Sequence, residues 1–251
     1  MITSRNNNQY KRIKKLLSSS KARREEGRFV VEGERIVKEA PLELLDSVCM
    51  SASYAKGRRL PAGVTVFSDD IFRSLSDTVT PQGIMAVIKQ PSYTLGGMTG
   101  QAGEDEKALY LLLDDIRDPG NLGTIVRTAE AAGASGIILS PGCADIFNPK
   151  VIRSTMGSIY RVPFVTAPLK EAAESLKING AAVYAACLEA EIYYNEAEYG
   201  RRCAFIIGNE ANGISPEVIE AADEKIKIPM AGKVESLNAA ISAAIIMYGI
   251  K

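Results

Sequence analysis

The sequence predicts an α/β protein whose C-terminal part is built on a mostly parallel sheet. Short apolar runs alternate with segments of helical period along most of the chain, the order expected when strands and covering helices take turns. The run Ala108–Asp114 (ALYLLLD) is continuously apolar until it ends in acidic residues, as a strand buried on both faces does. Glycines and polar residues then cluster where predicted strands pass into predicted helices, the edge at which open α/β sheets bind ligands.

Taken in order, Phe29-Val30-Val31 leads into a helix over Glu34–Ala40, followed by strands at Ser47–Met50 and Val64–Phe67, a helix at Asp69–Leu75 and a strand at Ile84–Val87. Together these make a small α/β module. Pro91–Lys107, with proline, four glycines and no apolar periodicity, reads as a linker or long loop. The division is therefore 1–90, 91–107 and 108–251. Beyond the linker, Asn121–Ala132 is helical, with Leu122, Ile125, Val126 and Ala129 on one face. Further strands are expected at Gly136–Leu139, Val162–Val165, Ala182–Ala186, Ala204–Ile207 and Lys225–Ile228. Helices are expected near 149–158, 168–178 and 215–222, and Ser236–Met247 forms the last helix.

Composition narrows the chemistry. The 251 residues contain no histidine, and the four cysteines (Cys49, Cys143, Cys187, Cys203) form no CxxC pair. Zinc fingers, Cys–His nucleophiles, Ser–His triads and His-ligated metals are thereby excluded from this chain, and no metal is expected. The cysteines read as small core hydrophobes in a reducing, cytoplasmic setting. The longest uncharged run, Ser236–Ile250, has 15 residues, short of the roughly 20 that span a bilayer. The N-terminus has no apolar segment behind its basic stretch, so neither a membrane span nor a secretory signal is expected. Formal net charge is zero, yet residues 1–28 hold nine Lys/Arg against Glu25 and Glu26, leaving −7 on the remainder. A basic arm on a mildly acidic body suits phosphate-backbone contact; a solvated terminus fits the same charges.

Three segments could carry chemistry. In residues 114–134 Asp118-Pro119-Gly120 turns the chain, Asn121 can cap the next helix, and Arg127 points off that helix's apolar face. In residues 205–215 an apolar strand ends in Gly208, followed by Asn209, Glu210 and Gly213, with Ser215-Pro216 as a helix start. In residues 228–247 Ile228-Pro229-Met230 leaves a strand, Gly232 turns, and Ser236-Leu237-Asn238 opens the final helix. No GxGxxG follows a strand and no GxxxxGK[ST] is present, so dinucleotide and P-loop sites are unsupported.

The order and spacing of these segments resemble the SpoU (TrmH) family of RNA methyltransferases, within the SPOUT superfamily. The first motif of that family matches Asn121, Gly123 and Arg127; the second matches Gly208, Glu210 and Gly213. The third matches Ile228-Pro229-Met230, Gly232 and Ser236-Leu237-Asn238. The stretch Phe147–Ser154 with Gly157 is similar to family members too. Phe29-Val30-Val31-Glu32-Gly33 and Thr80-Pro81-Gln82-Gly83 resemble the ribosomal-protein-like substrate-binding domain that many of them carry. Departures are slight: Ala211 stands where glycine is common and Ala239 where valine is common.

The resemblance implies a SPOUT-type domain with a deep C-terminal trefoil knot, preceded by a small α/β RNA-binding domain. It implies S-adenosylmethionine as cofactor, held by main-chain groups of Gly208, Ile228 and Leu237 with Met230 nearby. It implies methyl transfer to a ribose 2′-hydroxyl, with Arg127 as the principal catalytic residue and Asn121, Glu210, Ser236 and Asn238 ordering it and the substrate. A homodimer with sites completed from both subunits is implied, and the separate N-terminal domain points to ribosomal RNA. The competing readings are a transfer-RNA methyltransferase, a non-catalytic RNA-binding member of the fold, and an unrelated α/β enzyme acting on a nucleotide or small metabolite.

Overall fold

The computed structural model describes residues 1–100 and 106–250. The first elements along the chain are α1 (Asn8–Ser18), α2 (Ser20–Glu26), β1 (Arg28–Glu32), α3 (Glu34–Lys38), β2 (Leu45–Ser51), α4 (Ala52–Ala55), β3 (Thr65–Phe67), α5 (Asp69–Leu75) and β4 (Ile84–Lys89). Next come α6 (Leu95–Thr99), β5 (Ala108–Leu113), α7 (Pro119–Ala131), β6 (Gly136–Leu139), α8 (Pro149–Thr155), a 3-10 turn (Ser158–Tyr160) and β7 (Phe164–Thr166). The chain continues through α9 (Leu169–Ile178), β8 (Ala182–Ala186), β9 (Ile192–Tyr193), β10 (Arg202–Ile207), α10 (Pro216–Ile219), β11 (Glu224–Lys227) and α11 (Ala239–Gly249). Two compact units result: Met1–Pro91 with Phe147–Tyr160, and Ser92–Ile146 with the chain from Arg161 onward.

The first unit holds a four-stranded sheet of order β1-β4-β2-β3, with β4 antiparallel to both neighbours and β2 parallel to β3. Its core gathers Phe67, Phe72, Leu75, Met85 and Val87 with Tyr10, Ile13 and Leu16 of α1. The last three correct the expectation of a basic arm standing in front of the module. Asn7 caps α1 by accepting from the Gln9 N–H at 2.9 Å, and the helix then buries an apolar face at 10, 13 and 16. Several of its charges are structural. Arg23 is 3% exposed and donates to the carbonyls of Leu16 (2.6 Å) and Leu17 (3.3 Å), joining α2 to the end of α1. Arg12 pairs with Glu26 and Asp46, and Arg28 with Asp46. Arg5, Lys11, Lys15 and Arg24 remain exposed. Within the same unit α8 packs on β1, and the rings of Phe29 and Phe147 lie 4.8 Å apart.

The second unit holds a seven-stranded, all-parallel sheet of order β7-β6-β5-β10-β8-β11-β9. Leu111, Leu112 and Leu113 of β5 are fully buried between β6 and β10, each side chain contributing about 1.5–3 kcal/mol by leaving water. Because every strand runs the same way, the loops after β5, β8, β10 and β11 all leave from one edge.

The segment expected to be a linker contains α6. Thr94 accepts from the Gly97 N–H and caps it, and Met98 enters the core against Gly136, where a Cβ would come within 2.3 Å of the Met98 sulfur. One apolar residue facing one glycine leaves no periodicity to read. Residues 101–105 of that segment lie outside the described residues. The two-residue edge strand β9 was likewise too short to anticipate. No helix among the described residues is long and apolar enough to cross a membrane.

Candidate active site

Three of the loops at the sheet's C-terminal edge enclose a cavity of about 380 Å³, within the range of small-molecule sites. They follow β8, β10 and β11. All four residues expected to hold the cofactor, Gly208, Ile228, Met230 and Leu237, line it, as do Glu210 and Ser236. Gly208 is glycine for a steric reason: a Cβ there would sit 2.3–2.4 Å from backbone atoms of Gly213 and Ile214. The Asn209 N–H donates to the Gly213 carbonyl and the Gly213 N–H to that of Asn209, at 3.0 and 2.9 Å, closing 209–213 into a tight hairpin. Gly213 takes φ +68°, the left-handed region that such a turn requires.

The loop before α7 supplies the next part. Here the cap differs from expectation: Asp118, followed by Pro119 in the first helical turn, accepts from the Asn121 N–H at 2.8 Å. Asn121 is therefore inside the helix, and its side chain is free for other work. Its amide nitrogen donates to the Glu210 carboxylate, and its amide oxygen accepts from Asn238 Nδ2 at 3.0 Å. Asn238 meanwhile caps α11, accepting from the N–H groups of Ala240 (2.9 Å) and Ile241 (3.3 Å). Capping and site-building are thus both true of Asn238. The chain Glu210–Asn121–Asn238 joins one residue from each of the three sequence segments.

Arg127 stands apart from this group. It is exposed on α7, opposite a face that buries Leu122, Ile125, Val126 and Ala129, and it is not among the residues lining the cavity. Six residues of helix carry it about 9 Å and some 120° away from Asn121.

Other residues of the site went unassigned in the sequence. Asp114, 7% exposed, accepts from both the N–H and the hydroxyl of Ser215 at 2.8 Å. Asn209 Nδ2 donates to the Asp115 carbonyl at 2.7 Å. Asp115 adopts φ +56°, and its carboxylate fills the space above Gly142, where a Cβ would meet it at 1.7 Å. Cys187, Leu188 and Glu189 line the cavity from the end of β8. The available signal was positional, since each follows the carboxyl end of a parallel strand. Among the described residues no group of three or more His, Cys, Asp or Glu could hold a metal ion.

The donor set suits a ligand read largely by main-chain groups. Glycine-lined backbone, the apolar Ile228, Met230 and Leu237, and the carboxylates of Glu189, Glu210 and Glu235 surround the cavity. That combination fits a cationic sulfonium nucleoside with an adenine ring and an amino-acid tail.

Comparison with known proteins agrees with the geometry. Residues 108–248 match the model of the SpoU rRNA Methylase family, and residues 7–86 match that of the MRM3-like substrate binding domain. A Bacillus subtilis relative, 23S rRNA (guanosine(2553)-2′-O)-methyltransferase RlmP, is 34% identical over 100% of this chain and 98% of its own length. The AdoMet-bound rRNA methyltransferase from Sinorhizobium meliloti superposes with a TM-score of 0.86 at 30% identity, covering 99% of this chain and 95% of that one. The SpoU methyltransferase AviRb from Streptomyces viridochromogenes, in complex with AdoMet, gives 0.83 at 26% identity and 97% of each chain. The chain belongs to the SpoU rRNA methylase family.

Proposed function

We propose that this protein transfers a methyl group from S-adenosylmethionine to a ribose 2′-hydroxyl of ribosomal RNA. The observation that carries the reading is the hydrogen-bonded chain Glu210–Asn121–Asn238 beside the glycine-lined cavity. Gly208, Ile228, Met230 and Leu237 would hold the cofactor, which supplies an activated methyl group on a good leaving group. The remaining work is positioning and handling one hydroxyl proton. Asn121, Glu210, Ser236 and Asn238 order the polar end of the site. Arg127 orients the hydroxyl and its neighbouring phosphate and stabilises developing alkoxide charge.

The protein works as a homodimer in this reading. The support is α11 (AAISAAIIMYG), apolar on every side, which leaves Ile241 51% and Tyr248 63% exposed, a surface suited to a second copy. An Arg127 that stands away from its own cavity is then available to complete a partner's site. Substrate recognition belongs to residues 1–90 and methyl transfer to 108–251, supported by the two family-model matches. The deep knot belongs to the same reading, supported by a strand order in which β10 and β11 flank β8. The four free cysteines suit a reducing, cytoplasmic compartment.

The test has two parts. Calorimetry should detect S-adenosylmethionine binding to the isolated protein, and labelled methyl groups should pass to ribosomal RNA and be mapped as a 2′-O-methyl mark. Binding without transfer to any RNA would leave a non-catalytic RNA-binding member of the fold; labelled transfer RNA would replace the substrate.

A further inference from the structure

Two consecutive residues at the end of β5 tie down both feet of the loop that builds the cavity wall after β10. The near foot is Asn209, whose amide donates to the Asp115 carbonyl at 2.7 Å. The far foot is Ser215, whose N–H and hydroxyl both converge on one oxygen of Asp114 at 2.8 Å. Between the feet, the paired Asn209 and Gly213 close the hairpin, and every residue from Gly208 to Ile214 lines the cavity. Asp114 itself does not line it and is 7% exposed.

Ser215 spends its hydroxyl on this anchor. It is the N-cap residue of α10, with Pro216 following, yet its side chain makes no capping hydrogen bond. A serine there ordinarily accepts from the helix N–H groups. Here the hydroxyl is turned around as a donor to Asp114. The cap is given up so that the loop's end is held by two bonds to a carboxylate, which are stronger than bonds to a neutral acceptor.

We infer that Asp114 is a positioning residue for the methyl-donor site, acting through Ser215 to hold the 208–214 loop in the shape that accepts S-adenosylmethionine. The inference rests on reading the cavity as the cofactor site. It separates from general fold support because β5 is already fixed on both sides by β6 and β10, whereas the far end of the loop has Asp114 as its side-chain anchor.

The experiment compares the full-length wild type with Asp114→Ala, Asp114→Asn and Ser215→Ala. S-adenosylmethionine affinity is measured by calorimetry, with KM for each substrate and kcat. Asp114→Ala leaves two donors without their acceptor and should weaken cofactor binding about 10–100-fold. RNA affinity should stay within about twofold of wild type, because the change touches none of the residues assigned to RNA recognition. Asp114→Asn keeps an oxygen for both donors and should recover most of the loss. Ser215→Ala removes one bond of the two and should fall between. Asp114→Ala binding the cofactor like wild type, or losing RNA and cofactor affinity in parallel, would overturn the inference. Should Asp114→Ala not fold, Ser215→Ala decides alone, and unchanged cofactor affinity there overturns it equally. A wild-type protein that binds no S-adenosylmethionine refutes the cavity assignment first, before any variant is compared.

Discussion

The side-chain amide of Asn121 donates to the carboxylate of Glu210 across 89 positions of sequence. It joins the start of α7 to the hairpin after β10. Because the Asn121 oxygen also accepts from Asn238, one amide orients both other segments of the site. Glu210→Ala strands the Asn121 N–H and loosens the group. kcat should fall about 10–1,000-fold, the cost of losing a positioning or transition-state contact. Glu210→Gln keeps an oxygen acceptor and should lose less. Single-turnover methylation of RNA measures both, and equal rates for the two variants would remove hydrogen-bond acceptance as the role of Glu210.

Gly208 gives a prediction that depends on space alone. Gly208→Ala places a methyl group 2.3–2.4 Å from the Gly213 and Ile214 backbone, and backbone on a pinned hairpin cannot move aside as a side-chain tip can. Overpacking of this kind costs about 1–3 kcal/mol, and the displaced loop should lower cofactor affinity at least tenfold. Titration calorimetry reads the affinity and thermal unfolding reads the stability. Gly213→Ala meets no atom within 4 Å but forces φ +68° on an L-residue; its cost should be nearer 1 kcal/mol.

Arg127 tests whether the site is divided between two chains. Arg127→Ala should abolish methylation while cofactor binding stays within about twofold, since the residue does not line its own cavity and loses no helix propensity on becoming Ala. Mixed dimers of Arg127→Ala with Gly208→Val sharpen this. If each site takes its arginine from the partner, one site of the mixed dimer carries both defects and the other carries none. Activity should then reappear at up to about half the wild-type level, by statistics of one sound site in two. Methyl-transfer assays on co-expressed, dual-tagged protein measure it, and silence in the mixture would place arginine and cavity in the same chain.

The N-terminal charges separate what the sequence could say from what it could not. Nine basic residues in 28 are visible at once, but which are available to RNA depends on partners far along the chain. Arg12 and Arg28 are drawn to Asp46, and Arg23 is buried under α1. Deleting residues 1–28 would remove Tyr10, Ile13 and Leu16 from the core and unfold the unit rather than test RNA binding. Substituting Lys11, Lys15 and Arg24 with glutamine should instead weaken RNA binding and reduce its salt slope by roughly 0.7–0.9 for each phosphate no longer neutralised. An unchanged slope in filter binding would mean that this face does not meet the phosphate backbone.

The same logic applies elsewhere in the fold. β6 and β8 could be read to the residue, because continuous apolar strands and their flanking turns are local signals. α6 could not, since the place of Met98 in the core depends on its fit against Gly136, 38 residues later. Gly208, Ile228, Met230 and Leu237, which line the cavity, were legible through glycines and motif order. The Asp114–Ser215 anchor was not, because 101 positions separate its partners and each alone looks like an ordinary strand end or helix cap. Asn121 looked like a cap for the same reason, although Asp118-Pro119 already held that place.

Acid should expose the ion cluster around Asp46. Burial alone would raise its pKa, but hydrogen bonds from Arg28 (3.1 Å) and Arg12 (3.0 Å) outweigh burial and hold the carboxyl below its ordinary range. Arg12 is shifted the other way, burial lowering it and the bonds to Glu26 and Asp46 raising it by more. The folded state therefore binds the Asp46 proton less tightly than the unfolded chain does. The stability contributed by Asp46 is fully present above the unfolded pKa and is lost as pH falls through the depressed folded one. Asp46→Asn removes the ionised form at every pH. Its first-unit unfolding temperature should lie below wild type at pH 7, and the gap should close as the pH falls from about 5 toward 3, below the ordinary carboxylate pKa. Thermal unfolding followed across that range checks it. A gap that keeps its size into acid would mean that Asp46 acts through packing or neutral hydrogen bonds, and that the charges of Arg12 and Arg28 are not what it answers to.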